Sequence, residues 1–159
     1  SFLTFNLRGF NMTKDIIDIQ YEGQLAMNQI SNIAKESTGI MRIEDDVSND
    51  LKGDFTQVSP AIVEFYHFEE VSNVEQQTTY RISYDQSDAN NHKIHMDITN
   101  PDGSSIPRYL LGQYLTSFTL EPTNGRDFEH TKSMVITMFF KDKKANMNLQ
   151  TEIKFRNKQ

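Results

Sequence analysis

The stretch NMNLQTEIKF, residues 146–155, alternates apolar and polar side chains over its whole length. Every second position carries an apolar or β-branched residue, namely Met147, Leu149, Thr151, Ile153 and Phe155. Because successive side chains of a strand point to opposite faces, this alternation predicts a strand with one buried face and one solvated face. Such strands are typical of antiparallel sheets.

Further strands are predicted upstream, because several short segments are rich in β-branched and aromatic residues and are bounded by turn sequences. These segments are residues 61–68, 76–85, 92–99, 114–122 and 133–141, preceded by a short alternating piece at 39–44. The sequence NPDG (100–103) predicts a β-turn, and KDKKAN (141–146) predicts the antiparallel hairpin between the last two strands. The chain beyond Gly39 is therefore expected to form an antiparallel β region.

The first third of the chain has the period of an amphipathic helix. Between Asp15 and Ser37 there is no proline, and apolar or small residues recur every three or four positions. Gly39 follows Ser37 and Thr38, a pattern that favours a helix C-cap with a positive φ at the glycine.

The opening SFLTFNLRGF (1–10) is apolar, and we expect it to continue this helix back to about Phe2. Such a helix would be roughly 50 Å long at ~1.5 Å per residue, whereas strands of ordinary length span only about 20 Å. The predicted fold class is therefore α+β, with a long N-terminal helix packed on an antiparallel β-sheet and projecting beyond it. The predicted organisation is an N-terminal amphipathic helix over 1–38 and a β region over 39–159, together forming one domain.

Composition excludes several classes of protein. The net charge of −6 provides no basic surface for nucleic acid, and the absence of cysteine excludes disulfides and thiolate metal sites. No apolar run in the sequence reaches the roughly 18 residues that a membrane span requires. Since the chain begins at Ser1 without an initiator methionine, we expect it to be a processed or shortened product.

No catalytic, cofactor or metal residue is predicted. His92 and His95 are three residues apart in a predicted strand, which places them on opposite faces. Two acidic loops, 45–54 and 85–91, are rich in oxygen ligands, but the first lacks the glycine and glutamate of an EF-hand, so a calcium loop of another kind stays open. Nucleophile-elbow and phosphate-loop motifs are absent from the sequence, so an enzyme is not expected.

Several segments together resemble those of type IV minor pilins and type II secretion pseudopilins, in particular the J-type pseudopilin and PilW-like family. The segments that carry the resemblance are YEGQLAMNQISNIAKEST (21–38), AIVEFYHF (61–68), TTYRISYD (78–85), YLLGQYLTSFTLEP (109–122) and EIKFRNK (152–158). The resemblance implies a pilin-like fold and a non-enzymatic subunit without cofactors, which helps to initiate assembly at or near the tip of a pilus or pseudopilus.

The same resemblance implies where the protein works and what it contacts. It implies a bacterial cell-surface location, a missing hydrophobic N-terminal segment that anchors the precursor in the membrane, and other pilins as partners through parallel helix packing. The helix face expected to enter the filament carries Leu3, Leu7, Met12, Ile16 and Ile19.

Two other functions remain open. An extracellular adhesin or ligand-binding β domain would place its aromatic side chains along an exposed groove. A small α+β enzyme would need a cluster of polar catalytic side chains, which the sequence does not indicate.

Overall fold

A computed structural model describes residues 3–7 and 14–18 as backbone, and residues 19–143 and 145–156 with their side chains. The elements in chain order are β1 (Leu3–Leu7), α1 (Lys14–Glu36), β2 (Gly39–Glu44), β3 (Ile62–Val71), β4 (Val74–Asp85), β5 (His92–Thr99), β6 (Ser105–Pro122), β7 (Ser133–Asp142) and β8 (Ala145–Lys154).

All the strands join one antiparallel sheet in the order β1-β8-β7-β6-β5-β4-β3-β2. The sheet curls into a half-barrel, and α1 lies against its concave face. The strands predicted at 39–44 and from 61 onward are confirmed, as is the hairpin between the last two, but β6 begins at Ser105 and so is longer than the strand predicted at 114–122. The turn predicted at NPDG is confirmed as well, because Gly103 has a φ of 84° and donates to the carbonyl of Asn100 at 2.9 Å.

The predicted fold class is wrong. The protein is mostly antiparallel β with a single helix of 23 residues, and it is not a pilin-like long N-terminal helix on a sheet. The helix begins at Lys14, while residues Leu3–Leu7 form β1 and pair with β8 from Thr151 to Met147. The apolar residues at positions 3, 5 and 7 have the strand period of two, which the helical interpretation of this segment overlooked.

One face of α1 forms the centre of the core. Ala26, Met27, Ile30 and Ala34 are completely buried, as the helical spacing predicts. The helix comes so close to the sheet at Gly112 of β6 that a Cβ at that position would lie 3.1 Å from the Cβ of Ala26. The C-cap predicted at Gly39 is wrong, because Gly39 opens β2.

Contacts across the open side of the half-barrel hold its two ends together. The rings of Phe65 in β3 and Phe155 after β8 have centroids 6.4 Å apart. Beside them, the backbone N–H of Arg156 donates to the carbonyl of Ser37 at 3.0 Å, and the N–H of Thr38 donates to the carbonyl of Tyr66 at 2.8 Å. The segment after α1 is therefore hydrogen-bonded both to β3, near one end of the sheet, and to the residue after β8, near the other end.

A bulged region interrupts the regular pairing of β6. Pairing of β6 with β5 and β7 shifts register around residues 112–117, and Tyr114 has a positive φ of 59°. Bulges of this kind bend a strand and increase its twist. The side-chain oxygen of Asn91 accepts the N–H of Tyr114 at 2.8 Å and so holds the bend in place.

Phe65 offers a direct test of the core. We expect Phe65→Ala to lower the free energy of unfolding by about 3–5 kcal/mol, because the ring is fully buried and leaves a cavity. Phe55→Ala is the matched control, since that ring is 61% exposed and its loss should change stability by less than about 0.5 kcal/mol. Urea denaturation followed by circular dichroism measures both, and equal effects would contradict the described packing.

Candidate functional site

The residues predicted to form the filament face do not lie on one helix. Leu3 and Leu7 belong to β1, Ile16 and Ile19 belong to α1, and Met12 lies outside the described residues. Ile19 is 4% exposed and packs in the core of its own chain. The prediction that these residues form one continuous helix face is therefore wrong, because they lie on two separate elements. A contact between α1 and a partner must use another face of the helix.

The outer face of α1 carries two exposed apolar side chains one turn apart. Tyr21 is 70% exposed and Leu25 is 43% exposed. Residues four apart on a helix are neighbours on its surface, so these two side chains form a small apolar patch. Exposed Asn28 and Asn32 continue the same side of the helix toward its C-terminal end.

The candidate calcium loops use their carboxylates to shape the loops themselves. Asp45 accepts hydrogen bonds from the side chain and backbone of Asn49, at 2.8 Å each, and from the backbone of Val47. These hydrogen bonds lower the pKa of Asp45, and the bond from the side chain of Asn49 has the largest effect. In the second loop, Asp85 accepts the N–H of Ser87 and Asp88 accepts that of Asn90.

The part of the chain that the structure describes contains no group of three or more histidine and carboxylate side chains placed to hold a metal ion. His92 and His95 are separated as predicted, and His92 instead contacts the hydroxyl of Tyr84 through its Nδ1 at 2.8 Å. Burial raises the pKa of Tyr84 to about 12. Within the same described residues, no helix is long and apolar enough to cross a bilayer.

A row of alternating charges crosses the convex face of the sheet. Arg42 of β2 lies opposite Glu64 of β3, Glu64 lies opposite Arg81 of β4, and Arg81 lies opposite Asp97 of β5. Arg108 of β6 completes this charge ladder by reaching Asp97 at 2.9 Å. Opposite charges at directly facing positions stabilise neighbouring strands and fix their register.

Glu64 is the central member of the charge ladder. It is only 7% exposed, and its Oε1 lies 2.6 Å from Arg81 and 3.6 Å from Arg42. Arg42 also donates to both carboxylate oxygens of Glu44, at 2.6 and 2.8 Å. This bond raises the pKa of Arg42 and lowers that of Glu44, while the bond to Asp97 raises the pKa of Arg108.

The ladder forms the floor of a shallow depression of about 390 Å³ between β2 and β6. Its remaining lining residues are Met41, Thr79, Thr99 and Ser105. Every arginine of the ladder already has a carboxylate partner, so the depression offers little unbalanced charge to a ligand. The arrangement of the charge ladder is best explained as a set of contacts that holds neighbouring strands of the sheet together.

A second concave surface lies where β6, β7 and β8 meet, and we call it the β6–β8 groove. It has a volume of about 410 Å³, and its lining combines the exposed or half-buried Thr116, Phe139, Lys141, Asn146 and Asn148 with the core residues Phe140 and Met147. A depression of about 420 Å³ adjoins it, shares Thr116 and Lys141, and extends to Asn90, His92, Asp142 and Lys143.

The β6–β8 groove combines an aromatic surface with polar groups. Phe139 is 40% exposed, and the buried side-chain oxygen of Asn148 has no hydrogen-bond partner in the structure. An apolar platform with a few convergent polar groups is the usual composition of a binding site. This groove can therefore hold an apolar side chain together with a group that donates a hydrogen bond to Asn148, such as a hydroxyl or an amine.

Comparisons with protein-family profiles, with curated proteins and with solved structures found no match to this chain.

Sequence reasoning missed both the charge ladder and the β6–β8 groove. The charges of the ladder are far apart in sequence, and only the register of four strand pairs brings them together. The apolar patch on α1 had a local signal, because Tyr21 and Leu25 stand at i and i+4 among polar neighbours.

The buried carboxylate of the ladder provides a stability test. Glu64→Gln keeps the shape of the side chain but leaves Arg42 and Arg81 without their shared charge partner, so we expect a loss of about 1–2 kcal/mol. Glu121→Gln removes an exposed carboxylate from β6 and should change stability by less than about 0.5 kcal/mol. Chemical denaturation near neutral pH measures the difference. Equal free energies of unfolding for the two variants would contradict a structural role of the ladder.

The pair of Arg42 and Glu44 predicts a pH dependence. Because the pKa of Glu44 is lowered in the folded state, its contribution is present above the ordinary value of 4.5 and is lost as the pH falls through the lowered value. Arg42→Gln should therefore lose less stability than the wild type between about pH 5 and pH 2. Arg126→Gln, which changes another exposed arginine, should keep the wild-type slope.

Proposed function

We propose that this chain is a non-enzymatic assembly subunit that packs the outer face of α1 against a partner subunit, in the manner of a minor pilin or pseudopilin. The observation that carries the proposal is the apolar patch of Tyr21 and Leu25 on the outer face of a helix whose inner face is buried. Exposed aromatic residues on a rigid element are preferred anchors of protein interfaces.

The contact proposed here differs from the one that the resemblance implied. Because β1 ends at Leu7 and α1 begins at Lys14, the contact is limited to the helix and does not include a stripe from Leu3 onward. The partners are other pilin-type subunits, met by packing of parallel helices. The proposed location is the bacterial cell surface, with the precursor anchored in the membrane before assembly.

A ligand-binding or adhesive role is the second candidate. The β6–β8 groove favours it, since the exposed ring of Phe139 lies there beside the unpartnered oxygen of Asn148. Phe139→Ala would weaken ligand binding in the groove and leave the contact of α1 intact. The effect of this substitution therefore distinguishes the two candidate functions.

The helix contact is tested by adding charge to the patch. In the source organism, we expect Tyr21→Glu/Leu25→Glu in the full-length protein to lower its incorporation into surface filaments at least about tenfold. The reason is that the proposed contact buries both apolar side chains, and the variant replaces them with charges. Asn28→Glu/Asn32→Glu adds the same two charges to exposed polar positions of the same helix and should stay within about twofold of wild type.

Two results would contradict the proposal. One is normal incorporation of the Tyr21→Glu/Leu25→Glu variant, provided that circular dichroism and thermal unfolding show the fold unchanged. The other is a hydrophilic coding sequence upstream of Ser1, since the proposal expects a short basic leader followed by an apolar stretch there.

A further inference from the structure

Four side chains of the β6–β8 groove lie on one face of a single strand pair. Phe139 of β7 is directly opposite Asn148 of β8, and Lys141 is directly opposite Asn146. Residues two apart on a strand point to the same face, so the two pairs share one surface. Facing side chains begin about 5 Å apart, and successive pairs on one face lie about 7 Å apart. The four side chains therefore surround an area that suits one six-membered ring with its substituents.

The ring of Phe139 offers this area an aromatic surface. It is 40% exposed, whereas the neighbouring Phe140 is 2% exposed and belongs to the core. The face of an aromatic ring is electron-rich, so it attracts C–H groups that carry a small positive charge. One side of a sugar ring is a surface of such C–H groups, while hydroxyls surround its edge. A ligand of this shape can cover Phe139 and still bond the polar groups beside it.

The polar groups around Phe139 have hydrogen-bonding capacity to spare. Within the described part of the chain, the side chains of Lys141 and Asn146 have no partner, and the side-chain oxygen of Asn148 has none either. An amide offers two donors and an acceptor, and an ammonium group offers three donors. The oxygen of Asn148 is covered in the free protein, but the terminal torsion of an asparagine is broad, so the amide can turn toward a ligand. Several hydroxyls can therefore be bonded at once.

The charges around the groove do not favour a strongly charged ligand. Lys141 and Asp142 both line the adjoining depression and have opposite signs. Lys143 lines it too, but it already takes part in an interaction within the chain. A highly anionic ligand would meet Asp142, and a cationic one would meet Lys141. A neutral ligand with many hydroxyl groups matches the mixture of donors and acceptors better.

We propose that the β6–β8 groove binds a neutral hexopyranose unit of a glycan, with the C–H side of the sugar ring stacked on Phe139. The amides of Asn146 and Asn148 and the ammonium group of Lys141 bond its hydroxyls. The adjoining depression shares Lys141 with the groove and receives the next sugar unit. This inference rests on the second candidate function, for which it names the class of ligand, and it does not depend on the helix contact.

Titration with simple sugars tests the inference. Methyl β-glucoside, methyl β-galactoside, N-acetylglucosamine, cellobiose and lactose are added to the isotope-labelled chain at millimolar concentrations and followed by NMR. We expect at least one of these sugars to shift the amide signals of residues 139–141 and 146–148, with a disaccharide binding more tightly than its single unit. Cyclohexanol, a six-membered ring with one hydroxyl, should bind at least about tenfold more weakly, because it leaves most of the polar groups without a partner.

Substitutions at Phe139 separate ring stacking from general apolar contact. Phe139→Leu keeps an apolar side chain but removes the aromatic face, so the dissociation constant should rise at least about tenfold, while Phe139→Trp should bind at least as tightly as the wild type. Phe68→Leu is the matched control, since that ring is 41% exposed on β3, outside the groove, and sugar binding should not change. Asn146→Ala should weaken binding at least about threefold. Circular dichroism and thermal unfolding confirm that each variant is folded.

Three outcomes would overturn the inference. They are the absence of shifts in the groove with every sugar, sugar binding that a folded Phe139→Leu variant leaves unchanged, and cyclohexanol that binds as tightly as the sugars. N-acetylphenylalanine amide, added in the same way, stands for a peptide ligand. If it shifts the groove and no sugar does, the sugar inference fails and the ligand-binding candidate stands. If no probe shifts the groove, both fail, and the filament assay of Tyr21→Glu/Leu25→Glu still tests the helix contact separately.

Discussion

The close packing of α1 into the concave face of the sheet is the constraint on which the rest of the structure depends. Small residues make it possible, because Ala26 meets Gly112 where β6 bends around the helix. The bend at 112–117 then divides β6 into one half that pairs with β5 and another that pairs with β7. The division of one strand between two neighbours lets the sheet turn around the helix.

The local elements were predictable from the sequence because their signals are local. The alternation of 146–155 predicted β8 to within one residue at each end. The three- and four-residue spacing after Asp15 predicted the helix α1, although the prediction extended it back to about Phe2 and the helix begins at Lys14. The error at Leu3–Leu7 has a physical reason. A run of five residues fits either period, and its pairing with β8 lies over 140 residues away in sequence, as the partners Leu3 and Thr151 show.

The candidate surfaces were less predictable than the elements. Glu64 and Arg81 meet only because β3 and β4 share one register, and a shift of one residue would turn every side chain to the other face. The groove requires three strands and two turns to be placed together. The patch of Tyr21 and Leu25 is the exception, because both residues lie on one element and their exposure follows from the buried face opposite them.

The distribution of charge connects the fold to the proposed contacts. Across the middle of the convex face, the ladder pairs its arginines and carboxylates one by one, so that region is locally neutral. Beyond the ladder, the end of the β3–β4 hairpin carries Glu69, Glu70 and Glu75, with no lysine or arginine between residues 68 and 77. Since the formal net charge is −6, repulsion opposes random association of copies at low salt. The proposed helix contact must therefore draw its stability from the apolar patch of Tyr21 and Leu25 rather than from charge.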